Sequence, residues 1–185
     1  MALKASAPGL LHKSDAGGVR LALEGREAVR RAALEIKRLV SAHGHPLEAL
    51  IVQPMAPHGV ELLLGVVSDE NFGPVIACGA GGTSAELLGD VAVRITPLSD
   101  LDAAEMVRSL RMFPLLSGYR GQPACDVHAV EDTLMRLSAL VEAHPEIAEL
   151  DLNPLLASPK GAAILDARVR LQAPPPRRPL AALGD

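Results

Sequence analysis

The chain alternates between stretches of helical periodicity and short stretches of strand periodicity. Apolar residues recur every three or four positions from Glu24 to about His43 and over 127–143, which predicts two amphipathic helices. Ser99, with Asp102 three residues later, predicts the start of a third helix, because both side chains can accept hydrogen bonds from its first amides. The predicted strands are short apolar or alternating segments at 17–23, 49–55, 59–67, 73–78, 91–96, 147–156 and 162–171. Because strands come in adjacent pairs, we expect an α/β fold with a mixed (α+β) sheet.

Two further segments have a distinctive composition. The segment GPVIAC (73–78) is almost wholly apolar, which predicts a strand buried on both faces. The last segment, 172–185, reads QAPPPRRPLAALGD and is rich in proline, as is typical of an extended tail. We therefore expect one domain over 1–171 followed by a tail, which suits a chain of 185 residues.

Composition argues against a nucleic-acid binder. The aromatic residues are Phe72, Phe113 and Tyr119, with no Trp, whereas proteins that bind single strands stack bases on aromatic side chains. Asp and Glu number 22 against 18 Lys and Arg, whereas duplex binders usually carry an excess of basic residues.

Cysteine usage and hydropathy predict a cytoplasmic protein. Cys78 and Cys125 lie far apart without metal-type spacing, as is typical of reduced thiols. The sequence has no apolar run near the roughly 20 residues of a membrane span and no signal-peptide pattern at its start.

The last two predicted strands bring acids and an amide together. Ser158-Pro159-Lys160-Gly161 has the composition of a type I turn, and a turn centred on Pro159 and Lys160 fixes the pairing of the strands. The opposed pairs on one face are then Asn153 with Asp166, Asp151 with Arg168, and Glu149 with Arg170. Amide and carboxylate oxygens suit Mg²⁺, which often takes one or two protein ligands. The alternative is a solvated face of cross-strand ion pairs.

Two glycine-containing loops are further candidates. HKSDAGGV (12–19) combines a histidine, a lysine and two glycines before a strand, so its backbone amides could approach a phosphate, with His12 as nucleophile or general base; alternatively it is an ordinary connector. The segment GAGGTSAE (79–86), which includes Gly81 and Gly82, follows an apolar strand but matches neither GxGxxG nor GxxxxGK[ST].

Three isolated charges are ambiguous. Lys4 and Arg94 are cations near predicted strand ends, where most such residues are ordinary surface groups. Glu61 lies in the apolar strand GVELLLG, either on the polar face of a half-buried strand or in a cleft that it lines.

Taken together and in this order, the motifs resemble one family. The series is LKASAPGLLHKSDAGGVRL, VQPMAPHGVELLLGVVSDENFGPVIACGAGG, AELLGDVAVRITPL, LLSGYRG and ELDLNPLL…LDARVRL. It resembles the ATP-grasp segment of NDP-forming acyl-CoA synthetases, which include ADP-forming acetate–CoA ligases and the nucleotide-binding half of succinyl-CoA synthetase. In its details, the sequence of these motifs also resembles that of multidomain proteins that join this module to an acetyltransferase domain.

The resemblance implies the reaction acyl-CoA + ADP + phosphate ⇌ acid + CoA + ATP, through a phosphohistidine. The ATP-grasp part would bind ATP or ADP and Mg²⁺, while CoA would bind through partner domains of the same or another chain. The resemblance leaves homo- or hetero-oligomers open.

By position, the resemblance assigns roles to single residues. Asn153 and Asp166 match the Mg²⁺ ligands, and His12 falls where such enzymes carry a phosphohistidine. The remaining matches are nucleotide-binding positions, namely Lys4 for the phosphates, Gln53 and Met55 at the adenine hinge, Glu61, and Gly81 with Gly82 in the glycine loop.

The beginning of the chain departs from the family pattern. Family members have further sequence before the lysine strand, whereas Met1-Ala2-Leu3 leads directly into Lys4. We expect an N-terminally truncated ATP-grasp-like domain that does not complete the overall reaction alone. The alternative to a catalytic part is a non-catalytic regulatory or scaffold module of a multidomain acetyltransferase.

Overall fold

The structure is a computed structural model, and it describes residues 1–10, 13, 16–81 and 89–173. The chain divides into two compact units, Met1–Pro57 and His58–Asp185. Each unit has its own sheet and its own apolar core. Within the described ranges, no helix is long and apolar enough to cross a membrane.

Over the residues that the structure describes, the first unit has a three-stranded antiparallel sheet and one helix. Its elements are β1 (Ala2–Ser6), β2 (Val19–Arg20), α1 (Gly25–Ala42) and β3 (Ala49–Gln53), and the strand order is β2-β1-β3. The predicted helix is confirmed, and its buried residues Ala32, Ile36 and Val40 recur at helical spacing. They pack with Leu3 and Ala5 of β1.

In its described residues, 58–81 and 89–173, the second unit has a larger antiparallel sheet and three helices. Its strands are β4 (Val60–Asp69), β5 (Gly73–Ala80), β6 (Val91–Ile95), β7 (Ile147–Ser158), β8 (Gly161–Ile164) and β9 (Ala167–Leu171). Its helices are α2 (Asp100–Ser109), α3 (Phe113–Leu116) and α4 (Val127–Ala143). The strand order is β6-β5-β4-β7-β8, and β9 also pairs with β7.

The helix starts follow the sequence signals. Ser99 and Asp102 form the predicted capping box, in which the Ser99 N–H donates to Asp102 Oδ2 at 2.8 Å and the Asp102 N–H donates to Ser99 Oγ at 3.2 Å. Asp126 Oδ1 accepts the Ala129 N–H at 3.0 Å at the start of α4. The predicted range of this helix, 127–143, is confirmed.

One face of the second sheet carries the core. Leu62, Leu64 and Val66 alternate along β4 and are almost fully buried with apolar residues of α2 and α4. The expectation that 73–78 is buried on both faces is wrong, because Ile76 and Cys78 are buried whereas Val75 and Ala77 are only half-buried. The strand belongs to an antiparallel sheet with its helices on the Ile76 face, so the two faces differ.

Candidate functional site

The β7–β9 register brings Asn153 and Asp166 side by side. The pairing predicted from the turn is confirmed: Glu149 lies opposite Arg170 and Asp151 lies opposite Arg168. Asn153 donates its backbone N–H to the Asp166 carbonyl oxygen at 3.2 Å. The predicted strand 162–171 is interrupted, however, since β8 ends at Ile164 and β9 begins at Ala167.

A β-bulge sets the position of Asn153. On β4, Leu62 pairs with Leu155 and Leu64 pairs with Leu152, so Asn153 and Pro154 together lie opposite Leu63. A bulge bends its strand and redirects side chains, and bulges are frequent beside functional sites. The sequence contains a signal for it, because Pro cannot donate to a ladder and is found within central strands mainly at bulges. Asn153, at the bulge, and Asp166, its backbone partner, are both half-buried.

A third oxygen donor, Asp151, lies two residues before Asn153. Burial raises the pKa of the Asp151 carboxyl; the Arg168 guanidinium opposes this rise and the Asp166 carboxylate adds to it. Two carboxylates that repel each other are stabilised by a cation placed between them. Arg168 Nε also lies 3.9 Å from Asp166 Oδ2. The predicted face of ion pairs is therefore present too, and the Arg170–Glu149 pair at 2.6 Å completes it.

These oxygens fit a magnesium ion held by few protein ligands. In the described part of the chain, no group of three or more His, Cys, Asp or Glu side chains could enclose a metal ion. Mg²⁺ needs no such cage, because it keeps several waters and binds one or two carboxylates together with substrate phosphates. Asp166 and the Asn153 amide supply a donor set of that kind.

Glu61 and Gly81 lie together at one end of the β4–β5 pair. The Gly81 N–H donates to the Glu61 carbonyl oxygen at 2.9 Å. A Cβ at Gly81 would come within 2.8 Å of backbone atoms of Glu61 and Leu62, so only glycine permits this approach. Both residues line a cavity of about 900 Å³ within the second unit, whose wall is completed by the segment 112–125.

The first unit holds the other predicted nucleotide-binding residues. Lys4 lies in the central strand β1, opposite Val19 and Ile51, and is half-buried. Gln53 ends β3. Met55 follows it, and its Sδ accepts the Ala22 N–H at 3.4 Å.

His12 and Gly82 lie outside the described residues. Next to His12, the Lys13 carbonyl oxygen accepts the Gly18 N–H at 2.6 Å, and a Cβ at Gly17 would lie 2.7 Å from Leu39 Cδ1. A Cβ at Gly18 would likewise lie 2.9 Å from the Lys13 carbonyl oxygen, so packing constrains both glycines of the HKSDAGGV loop.

Two residues near the glycine loop have a structural role in the second unit. Arg94 points to α2, where its guanidinium lies 3.4 Å from Glu105 and 4.0 Å from Asp102. Asp90 is buried and accepts the backbone N–H groups of Arg111 and Met112 at 2.8 and 2.9 Å. Asp90 therefore fixes the start of the 112–125 segment, a function that sequence reasoning left unassigned.

Comparison with known proteins decides the family. A family model described as an ATP-grasp domain matches residues 1–171. The chain belongs to the ATP-grasp family. It is 40% identical over 171 residues to the ADP-forming acetate–CoA ligase I of Archaeoglobus fulgidus and 35% identical over 173 residues to the beta subunit of the ADP-forming acetate–CoA ligase I of Pyrococcus furiosus. Both alignments cover 91% of this chain, which spans 25% of the former and 74% of the latter.

Solved structures of an archaeal relative have the same fold. The dinucleotide-forming acetyl-coenzyme A synthetase 1 of Ca. Korarchaeum cryptofilum, in complex with coenzyme A, Ca-AMPCP and HgCl⁺, matches with a TM-score of 0.89 and 42% identity, over 92% of this chain and 76% of that one. A complex with coenzyme A and Mg-AMPPCP, described with its phosphohistidine segment pointing towards the nucleotide-binding site, matches with a TM-score of 0.81 and 41% identity, over 93% and 76% of the two chains. The expected α+β ATP-grasp fold is confirmed, and this ATP-grasp domain corresponds to the beta-subunit-like part of ADP-forming acetate–CoA ligases.

Proposed function

We propose that this chain is the nucleotide- and Mg²⁺-binding part of an ADP-forming acyl-CoA synthetase. The observation that carries the proposal is the pairing of Asn153 with Asp166 at the β7 bulge. Support comes from the relatives, which are ligases of this class, and from the Korarchaeum structures, which hold nucleotide analogues with Ca²⁺ or Mg²⁺.

The charge of the second unit explains why a cation is needed there. Residues 58–185 contain 17 Asp and Glu against 10 Lys and Arg, whereas residues 1–57 contain 5 against 8. A nucleoside polyphosphate is therefore repelled by the unit that carries Asn153 and Asp166 unless its charge is neutralised. Bound Mg²⁺ supplies this neutralisation and stabilises the charge of the transferring phosphoryl group.

The residues of this chain would each contact a different part of the metal–nucleotide complex. Asn153 and Asp166 hold the metal, and the Lys4 ammonium binds phosphate oxygens. Gln53 and Met55, at the end of β3, contact the base, and Glu61, Gly81 and Gly82 contact the rest of the nucleotide. CoA and the acyl group bind to domains of the same or a partner chain, in the cytoplasm.

His12 would carry the phosphoryl group. In the direction of ATP synthesis, a β-phosphate oxygen of ADP attacks the phosphorus on His12, the P–N bond breaks, and the imidazole and ATP are released. In the reverse direction, the His12 nitrogen attacks the γ-phosphorus of ATP and ADP leaves. The step needs alignment and charge neutralisation more than covalent assistance, which agrees with the site composition.

Isothermal titration calorimetry with the 185-residue chain tests nucleotide binding. We expect Mg·ATP and Mg·ADP to bind, and the Asn153→Ala/Asp166→Ala double variant to bind at least about tenfold more weakly, because metal ligands and their partners contribute affinities of that order. Asp132→Asn, which alters an exposed carboxylate paired with Arg136 on α4, is the control and keeps wild-type affinity. No binding by the wild-type chain, or equal binding by the double variant, would instead favour the regulatory or scaffold module.

Labelling tests the histidine. Incubation with Mg·ATP radiolabelled at the γ-phosphate is expected to leave an acid-labile, base-stable label on the wild-type chain and none on His12→Ala. His43→Ala, which alters an exposed histidine after α1, keeps the label. A label that persists in His12→Ala rules out this residue as the carrier.

A further inference from the structure

One wall of the cavity beside Glu61 and Gly81 contains none of the residues proposed to bind the nucleotide or the metal. This wall is formed by the segment 112–125 and by Pro159 at the β7–β8 turn. Its polar side chains include Arg120, Tyr119 and Gln122, and His58, which precedes β4 in sequence, also lines the cavity. The cavity volume of about 900 Å³ is at the upper end of the range for small-molecule sites.

The wall is held in place by backbone hydrogen bonds within the loop and to β7. The Cys125 N–H donates to the Leu116 carbonyl oxygen at 2.8 Å and closes the loop on itself, while the Asp126 N–H donates to the Ser158 carbonyl oxygen at 2.9 Å and ties it to β7. Within the loop, the Gln122 N–H donates to the Tyr119 carbonyl oxygen at 3.0 Å. The position of the wall is therefore set by contacts within the second unit.

Arg120 adopts a backbone conformation that its side chain does not favour. Its φ angle is +49°, and its neighbours Gly118 and Gly121 also have positive φ angles, of +97° and +81°. Left-handed backbone is unfavourable for a non-glycine residue and persists where the surroundings enforce it, often at ligand sites. The guanidinium carbon lies 5.3 Å from the centre of the Tyr119 ring, so the strained residue presents an oriented cation.

The distribution of ion pairs in the second unit points to the same cavity. Most described Lys and Arg residues of the second unit are ion-paired, namely Arg94, Arg108, Arg136, Arg168 and Arg170. Among the residues that the structure describes, Arg111, Arg120 and Lys160 have no carboxylate partner. Arg120 lines the cavity, Arg111 precedes the lining residue Met112, and Lys160 follows the lining residue Pro159. In a unit with an excess of acids, a cation without a carboxylate partner in the cavity wall, with two more next to lining residues in sequence, favours an anionic ligand.

We propose that this cavity binds a phosphate group through Arg120, with Lys160 contributing long-range attraction. The choice of phosphate rests on the proposed function, whose nucleotide, CoA and inorganic phosphate all carry it. A guanidinium suits phosphate because its planar donors match two phosphate oxygens. Glu61, which also lines the cavity, can accept a hydrogen bond from a sugar hydroxyl, so a sugar phosphate suits both residues.

Calorimetry with the 185-residue chain tests the proposal with four probes: inorganic phosphate, ATP with EDTA, Mg·ATP and coenzyme A. We expect at least one probe to bind and Arg120→Gln to weaken it at least about tenfold, since charge-assisted hydrogen bonds contribute affinity of that order. Lys160→Gln weakens it less, and Arg120→Lys recovers part of the loss. Binding of phosphate alone identifies a free phosphate site, whereas binding of ATP or CoA alone identifies an ester.

Arg136→Gln is the matched control, because Arg136 is an exposed arginine of the same unit that is ion-paired with Asp132 at 2.8 Å. The proposal is overturned if no probe binds, if Arg120→Gln binds like the wild type, or if Arg136→Gln causes an equal loss. Urea unfolding midpoints confirm that each variant is folded. Mg·ATP binding that depends on Asn153 and Asp166 but not on Arg120 overturns this proposal and leaves the proposed function standing.

Discussion

Asn153 and Asp166 are joined through the backbone, the Asn153 N–H donating to the Asp166 carbonyl oxygen at 3.2 Å. Across the same pair of strands, the Leu165 N–H donates to the Pro154 carbonyl oxygen at 3.0 Å. These two bonds continue the pairing through the gap between β8 and β9, with Leu155 opposite Ile164 on one side. The proposed metal ligands are therefore positioned by strand register, and a slip of one residue would reverse the face of one of them.

The first prediction concerns the turn that sets this register. Gly161 has a φ of +123°, and a Cβ added there would meet no atom within 4 Å. Gly161→Ala therefore introduces backbone strain without a clash, and we expect it to lower the free energy of unfolding by about 1–2 kcal/mol. Urea denaturation measures this loss, and hydrogen exchange of the Asn153 amide should become faster. Lys160→Ala, in the same turn, is expected to change the urea midpoint little; an equal loss in both variants would contradict the argument from φ.

The hairpin shows how far a sequence pattern can lead. Pro159 and Gly161 mark the turn, and the alternation of apolar residues then leaves one consistent pairing for Asn153 and Asp166. The pattern does not report burial, however, since Val169 lies opposite the buried Leu150 and is itself 53% exposed. Alternation tells which residues share a face, but burial of that face depends on an element packed against it, and the helices cover β7 rather than β9.

The second prediction concerns the contact between the β4 and β5 ends. In Gly81→Ala, the new Cβ would lie 2.8 Å from backbone atoms of Glu61 and Leu62, which cannot move without disturbing β4. We expect a loss of about 1–3 kcal/mol in unfolding free energy, typical of overpacking, together with weaker binding of any ligand of the adjacent cavity.

Gly65→Ala is the control for this clash. Gly65 lies in β4 of the same sheet, and its added Cβ would meet only the Leu150 carbonyl oxygen at 3.8 Å, an ordinary contact. Thermal unfolding and calorimetry of both variants compare the two effects. If Gly65→Ala were as destabilising as Gly81→Ala, the loss would reflect glycine-to-alanine replacement in a strand and not the close approach at Glu61.

The cavity wall could not be predicted from periodicity. The segment 112–125 contains one short helix followed by turns, so no repeat of apolar positions indicates which residues face inward. Its placement depends on the Asp90 side chain, which binds it from 21 residues away in sequence. In the sequence, Lys4 and Arg94 are both isolated cations near predicted strand ends. Only the structure shows that Arg94 pairs with acids of α2.

The third prediction tests the role of Asp90. Its two carboxylate oxygens accept the N–H groups of Arg111 and Met112, and the residue is only 6% exposed. Asp90→Ala leaves both amides without this acceptor, and we expect a loss of about 2–4 kcal/mol in unfolding free energy. Asp90→Asn retains one acceptor oxygen and should lose less.

Asp69→Ala is a matched comparison, because Asp69 Oδ1 also accepts two backbone N–H groups, from Asn71 and Phe72, but in an exposed turn. Water can replace the carboxylate there, so the shift in urea midpoint should be clearly smaller. Equal shifts for Asp69→Ala and Asp90→Ala would show that burial of the Asp90 contacts adds nothing to stability.

The fourth prediction follows from Cys78 in the core of the second unit. Burial, with a smaller contribution from the negative charge of Asp90, raises the pKa of the Cys78 thiol to about 12. In the unfolded chain this thiol ionises near its ordinary pKa of about 8.5. The folded state thus keeps a proton that the unfolded state releases, so stability is full below this ordinary pKa and falls as the pH rises from there towards 12.

We expect the wild-type chain to lose about 1.4 kcal/mol of unfolding free energy per pH unit from this group between pH 9 and 11. Cys78→Ala is less stable at neutral pH because it leaves a small cavity, but its stability should fall less steeply over this range. Cys125→Ser removes the half-buried second thiol and should keep most of the wild-type slope. Urea midpoints at several pH values give the three slopes directly, and parallel slopes for wild type and Cys78→Ala would mean that the buried thiol ionises without unfolding.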